Sequence, residues 1–331
     1  MSSIAERYTG KHVLITGGLG MIGSTIAGKL ARAGADVTLV DACIEPYGAN
    51  HFNIADIRDK VRVNIADIRD KEAMKCLVRG QDVIFNLAGQ VSHNDSMDAP
   101  FLDADINYIG HLNVLECVRQ HNPGAVILHA GSRLQFGQIT QIPVNEEHPL
   151  RPRSPYALNK TAAENMYLFY HNLHGTRCIA TRISNPYGPR AQMKHSKYCI
   201  VNFFIRQAMD GKTIKVFGDG SQVRDYIYID DLAEAFLNAG STEACIGQVV
   251  NLGSGEPTTF AKMVEVIRDV VGNGHVEHVP WPANYINVET GDYVADIRKL
   301  KTLTAWAPRT GFAEGVQRTF DFYRMHRQHY W

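Results

Sequence analysis

Short apolar runs alternate with amphipathic stretches through the first half of the chain. HVLIT (His12–Thr16), DVTLV (Asp36–Val40), KVRVNI (Lys60–Ile65), DVIFN (Asp82–Asn86), AVILHA (Ala125–Ala130) and TRCIATR (Thr176–Arg182) are each about one strand long and rich in β-branched residues. Their near-continuous hydrophobicity is that of strands covered on both faces. Between most of them the pattern turns helical, as in MIGSTIAGKLARAGA and FLDADINYIGHLNVLECVRQ. Strand–helix alternation of this kind predicts an α/β fold built on a doubly wound parallel sheet. After about Tyr187 the pattern changes. Short strands at Ile214–Phe217, Tyr226–Ile229 and Val249–Leu252 fall among helices, with glycine- and proline-rich loops such as FGDGSQ and GSGEPT. The expected organisation is a larger domain over 1–183, rejoined by a segment near 225–253, and a smaller mixed α/β lobe over 184–331.

One octapeptide, NIADIRDK, occurs twice, at Asn53–Lys60 and Asn64–Lys71. Two copies do not make a repeat architecture, which needs about three units to bury a continuous core. Their surroundings differ. The first copy leads into VRV and is expected to be loop or short helix. The second follows VRV, so its Asp67 and Ile68 fall at the carboxyl edge of a parallel strand, where ligands bind in open α/β sheets.

Composition narrows the field. Hydrophobic content of 45% and charged content of 21% are those of a globular protein, and 331 residues suffice for two lobes. Lys plus Arg and Asp plus Glu both number 34, so no global field draws nucleic acid or an anionic membrane. The six cysteines are scattered without a CxxC pair, which predicts reduced thiols, no metal site and a cytoplasmic protein. No apolar run approaches a membrane span.

TGGLGMIGS (Thr16–Ser24) follows the first strand and opens the first helix, with Gly17, Gly20 and Gly23 spaced GxxGxxG. Glycine is needed where the chain turns tightly, where backbone approaches a pyrophosphate and where helix meets strand. The helix start, including Met21 and Ile22, then presents unpaired N–H groups to phosphate. Asp41 ends the second strand, where a carboxylate accepts both ribose hydroxyls of NAD and repels the extra phosphate of NADP. This is a Rossmann-type dinucleotide site.

SPYALNK places Tyr156 and Lys160 four residues apart on one face of a helix that begins near Pro155. An ammonium beside a phenol favours the phenolate, which makes Tyr156 a candidate general base for a sugar hydroxyl. Ser132, in AGSRLQFG, sits just past the fifth strand at the same sheet edge. His93, His111 and His129 and the aromatic terminus FYRMHRQHYW are expected to be structural.

In their order and spacing, TGGLGMIG, Asp41, the ADI after the third strand, NLAGQ, SRLQFG, YALNK, RISNPYGPR and GDGSQVRDYIYIDD resemble the extended short-chain dehydrogenase/reductases. The closest type is the nucleotide-sugar epimerases and dehydratases, with UDP-galactose 4-epimerases foremost. The resemblance runs from about His12 to the C-terminal helix. It implies NAD as cofactor and a nucleotide-diphosphate sugar as ligand. It assigns Met21, Ile22, Asp67, Ile68, Leu87, Ala88, Gln90 and Asn107 to the cofactor, with Lys160 on the nicotinamide ribose. Ser132 would hold the reacting oxygen, and Asn185, Arg133, Val216, Arg224 and Glu289 would meet the substrate. It also implies a homodimer through the helices of Phe101–Gln120 and Tyr156–His171.

The residues after Ser132 bear on the reaction. Dehydratases of this type carry an Asp-Glu pair there and decarboxylases a Glu, whereas this chain has Arg133 and Leu134. The expectation is therefore an NAD-dependent epimerase acting at C4 of a UDP-hexose. Arg133 departs from the small residue usual in 4-epimerases, and Ile286 stands where an Arg is expected. LAGQVS also resembles the CDP-tyvelose 2-epimerases. A 2-epimerase, a reductase, a 4,6-dehydratase and a non-enzymatic NAD-binding regulator stay open as alternatives.

Overall fold

The computed structural model describes residues 3–45, 47–281 and 289–331. Seven parallel strands form the main sheet: β1 (His12–Thr16), β2 (Asp36–Asp41), β3 (Val61–Ile65), β4 (Val83–Asn86), β5 (Val126–Ser132), β6 (Arg177–Ile183) and, far later in the chain, β10 (Val249–Leu252). Their order is β10-β6-β5-β4-β1-β2-β3. The chain builds outward from β1 in one direction and from β4 in the other, so the crevice for a ligand opens between those two carboxyl ends. The expected return to the sheet is β10, which pairs with β6 in register from Val249↔Ala180 to Leu252↔Ile183.

Successive residues of one strand enter different cores, which is why the strands read as continuously apolar. Val13 and Ile15 pack on one face and Leu14 on the other. The first face is covered by α1 (Met21–Arg32), the second by α2 (His111–His121) and α3 (Pro155–His174). Two smaller units follow: β7 (Asn185–Tyr187), β9 (Val223–Tyr228) and β11 (Pro257–Thr259) in one sheet, and β8 (Thr213–Phe217) paired with β12 (His275–Val279) in another. They alternate with α4 (Ile200–Met209), α5 (Ile229–Gly240) and α6 (Phe260–Val271).

The expected strand Tyr226–Ile229 is shifted. β9 starts three residues earlier, at Val223, and Ile229 opens α5. The helix expected over FLDADINYIGHLNVLECVRQ is interrupted by a π-helical turn at Asp105–Gly110. Gly110 sits against the second octapeptide there, since an added Cβ would lie 2.7 Å from Ile68 Cδ1. Asn113 Nδ2 donates to the Ile68 carbonyl at 2.6 Å and closes the same contact. Phe101, Ile109, Leu158 and Phe169 stay exposed on these two helical segments.

The two octapeptides fold differently, as their contexts require. The first is a 3-10 helix, His51–Lys60, whose buried Asn53 donates to the carbonyls of Leu19 (2.8 Å) and Arg190 (3.0 Å). The aromatic terminus packs on it, with Phe52 stacked on His329 at 3.7 Å and Tyr330 donating to Asn53. In the second copy Asn64 and Ile65 end β3, and Asp67 and Ile68 reach a large cavity. Among the described residues no helix is long and apolar enough to cross a membrane, and no group of three metal-ligating side chains converges.

Candidate active site

A cleft of about 790 Å³ runs along the carboxyl ends of the main sheet and under the smaller lobe. At its β1 end lies the glycine loop. Gly17 has φ +66°, and a Cβ there would lie 3.0 Å from Ala88 N. At Gly23 a Cβ would fall 2.3 Å from the Gly17 carbonyl, so the helix could not seat against the strand. Gly20 caps α1 and would meet only that carbonyl, at 3.4 Å, leaving its other side open to the cleft. The first turn of α1 carries no acidic residue, so its partial positive charge faces the cavity unopposed. This cradle fits a dinucleotide pyrophosphate.

Asp41 is held rigidly beside it, accepting from the backbone N–H groups of Leu19 (3.0 Å) and Cys43 (2.9 Å). Burial raises its carboxyl pKa, and those two bonds oppose the shift. Asp67 is gripped by Arg69 Nε (2.9 Å) and Nη2 (2.6 Å), which holds its carboxyl below the ordinary range. Replacing Asp41 with Ala should erode preference for NAD over NADP by about 10-fold or more, the scale of a charge-assisted hydrogen bond. Titrating both dinucleotides into the variant checks this, and an unchanged preference would undo the ribose assignment.

The face expected to carry the chemistry is assembled from β5 and α3. Ser154 caps α3 by accepting from Ala157 N (3.2 Å), Pro155 takes its first position, and Tyr156 N donates to Ser96 Oγ (3.1 Å). Tyr156 and Lys160 then project from one side of the helix into the cleft, opposite Ser132 at the end of β5. Ser132 is fixed by its own backbone N–H, which donates to Gln135 Oε1 at 2.7 Å, and its side chain hydrogen-bonds the Tyr156 phenol.

Burial pushes the Tyr156 phenol up to about 12, against the Ser132 bond and the positive charge of Arg133. Burial also pulls the Lys160 ammonium down to about 8, with Asp103 partly restoring it. Asp103 itself is bound by Asn107 Nδ2 (2.9 Å) and Asn159 Nδ2 (2.7 Å). Ser132 and Arg133 favour the phenolate, and the Asp103 carboxylate opposes it. Behind this group, Asn107 Oδ1 is buried and without a hydrogen-bond partner among the described residues. A Cβ on Gly89 would lie 2.8 Å from that oxygen and 3.1 Å from Lys160 Nζ.

The wall beyond Ser132 carries Arg133, Asn185, Arg224 and Glu289, all lining the cleft. Arg133 Nε donates to Asn185 Oδ1 (3.0 Å), and Asn185 Nδ2 donates to the Asp225 carbonyl (2.9 Å). Arg224 pairs with Glu289 at 2.6 Å, so the expected phosphate clamp is held by a carboxylate of its own wall.

Gly17, Gly20, Met21, Ile22, Gly23, Asp41, Asp67, Ile68, Leu87 and Ala88 line the cleft together with Ser132, Tyr156 and Lys160. Three expected residues do not. Val216 is buried in the core while Lys215 and Phe217, its neighbours on β8, face the cavity. Gln90 is folded into its own loop, bonded to Ser92 O (2.7 Å) and Ser92 N (2.9 Å). Asn107 stands one layer back, donating to the Gln90 carbonyl at 3.0 Å. Ile286 lies outside the described residues.

His93, expected to be structural, lines the cleft, its imidazole held below the ordinary value by burial and then by Arg133. Phe217, which opens the loop Phe217–Gln222 that the family resemblance assigns to the nucleotide pocket, lines it too, as do Tyr47 and Trp281, to which the sequence assigns no role. Glu164, one helical turn beyond Lys160, is buried and accepts from Gln135 Nε2 at 2.8 Å, so it supports Ser132 from behind. His111 and His129 lie in a buried hydrogen-bonded chain with Asn86 and Tyr167.

Over residues 14–319 the chain matches the sequence profile of the GDP-mannose 4,6 dehydratase family. It is 32% identical over 321 residues to a UDP-glucose 4-epimerase of Mycolicibacterium smegmatis, spanning 96% of this chain and 100% of that one. It is 30% identical over 330 residues to a dTDP-glucose 4,6-dehydratase of Streptomyces niveus, spanning 96% and 94%. The UDP-glucose 4-epimerase of Thermus thermophilus, solved in complex with NAD, superposes with a TM-score of 0.83 at 29% identity, over 95% of this chain and 99% of that one. With its glycine cradle, Asp41 and the Ser132–Tyr156–Lys160 group in one cleft, the chain belongs to this family, the nucleotide-sugar epimerases and dehydratases of the extended short-chain dehydrogenase/reductases.

Proposed function

We propose that the protein is an NAD-dependent nucleotide-sugar epimerase acting at C4 of a UDP-hexose. One observation carries the choice among the family's reactions: beside Tyr156, no carboxylate on the sugar side of the cleft is free to serve as a second proton-transfer group. Among the described residues lining the cleft, the carboxylates are Asp41, Asp67 and Glu289. Asp41 and Asp67 stand beyond the ends of β2 and β3, across β4 and β1 from Ser132. Glu289 is bound to Arg224. Water elimination needs both a base and an acid at the sugar, and no free carboxylate is placed to supply the second.

An epimerase needs less. NAD, held by the glycine cradle and Asp41, supplies when bound a site that accepts one hydride and returns it. Tyr156 takes the proton of the C4 hydroxyl during oxidation and gives it back during reduction. Ser132 orients the reacting oxygen, and Lys160 stands beside the cofactor ribose. The remote contacts of the nucleotide hold the sugar so that either face can be presented.

The test is to incubate the purified protein, without added reductant, with UDP-, GDP-, CDP- and dTDP-hexoses and to follow the sugars by NMR. A C4 stereoisomer of the UDP-hexose is the expected product. A 4-keto-6-deoxy sugar would overturn the reading in favour of dehydration.

A further inference from the structure

The charges on the cavity wall beside Ser132 do not balance. Two guanidiniums, Arg133 and Arg224, stand near one carboxylate, Glu289. That carboxylate is already engaged. Its Oε1 accepts from Arg224 at 2.6 Å and from the backbone N–H groups of Thr290 and Gly291 at 3.1 and 3.0 Å. Arg133 has neutral partners: its Nε donates to Asn185 Oδ1 at 3.0 Å, its Nη1 donates to Thr290 Oγ1 at 3.1 Å, and the guanidinium lies 5.6 Å from the Tyr293 ring centre. Among the described residues no carboxylate lies within ion-pair distance of it. Burial and the like charge of Arg224 push the Arg133 pKa down to about 10, and it remains charged at neutral pH. The same charge reaches His93, on another segment of the cleft wall.

A half-buried cation without a counter-ion is costly, and a ligand anion that excludes water from the cleft recovers that free energy. Position says which end of the ligand is concerned. Arg133 directly follows Ser132, the residue bonded to the Tyr156 phenol, so it belongs to the sugar end of the cleft. We propose that Arg133 selects a nucleotide sugar whose hexose carries a carboxylate at C6, a hexuronic acid, and pairs with that carboxylate. The fork of a guanidinium matches a carboxylate through two parallel hydrogen bonds. A neutral hydroxymethyl group leaves the cation uncompensated. The proposal rests on the nucleotide-sugar reading above and narrows its substrate.

The test compares three probes, UDP, UDP-glucose and UDP-glucuronate, by titration calorimetry and turnover on the full-length protein. Wild type is expected to bind UDP-glucuronate on the order of 100-fold more tightly than UDP-glucose, the scale of a desolvated charge pair. In Arg133→Gln that ratio should collapse to about one, and Arg133→Lys, which keeps charge without the fork, should recover part of it. A ratio near one in wild type overturns the proposal without any variant. So does an equal loss for UDP, UDP-glucose and UDP-glucuronate in Arg133→Gln, which would place Arg133 on the diphosphate. Either result leaves the epimerase reading standing. Failure of all three probes to bind overturns both.

Discussion

Tyr156→Phe is expected to lower kcat by about 10²- to 10⁴-fold, the usual contribution of a positioned general base, while NAD stays bound. The change removes one oxygen from a ring that is buried and packed, so the helix that carries it is not disturbed. The glycine cradle and Asp41, proposed to hold the dinucleotide, lie elsewhere in the cleft. The pH dependence gives a second handle. With the phenol pushed up to about 12, the fraction ionised grows as pH rises through neutrality, so kcat/KM should climb. That climb should vanish in Tyr156→Phe. Near-normal turnover in the variant would remove Tyr156 from the chemistry.

The largest stability effect is expected at Glu164. Its carboxylate accepts from Arg182 Nη2 (2.6 Å) and Nε (2.9 Å) and from Gln135 Nε2 (2.8 Å). Only 1% of the Glu164 side chain and 5% of the Arg182 side chain are exposed. Glu164→Ala leaves a buried guanidinium without its counter-ion, which costs about 3–5 kcal/mol. It also frees Gln135, whose oxygen fixes the Ser132 backbone. A falling urea midpoint should therefore be accompanied by a loss of kcat in the fraction that remains folded. Because desolvated charge is what costs, the double variant Glu164→Leu with Arg182→Met should regain much of the stability and little of the activity. A Glu164→Ala midpoint close to wild type would show that the pair does not anchor the helix.

Most of the sheet was legible because its strands are buried on both faces, so each announces itself as an apolar run bounded by turns. The cradle was legible because glycine is obligatory there: Gly23 cannot carry a Cβ without striking the Gly17 carbonyl. Residues whose role depends on partners distant in sequence were not. Glu164 meets Arg182 and Gln135 across three elements, and the only local hint is its place one turn past Lys160. The π turn at Asp105–Gly110 answers to Ile68, some forty residues earlier, and leaves no periodic trace. At Val216 the strand's own alternation carries the answer. Alternation along TIKVF sends Thr213, Lys215 and Phe217 to one side and Val216 to the other. His93 could have been found by its position soon after the carboxyl end of β4.

The pairing of β10 with β6 moors the substrate-gripping half of the molecule at two points. The polypeptide leaves the large sheet at Ile183 and rejoins it at Val249, beside the strand it left. Most of the sugar-side wall hangs within or just after that loop of chain, as Asn185, Lys215, Phe217 and Arg224 do. A hinge at Ile183 alone therefore cannot open the cleft while β10 stays paired, and a chain lacking β10 would bare the unpaired edge of Ala180–Ile183.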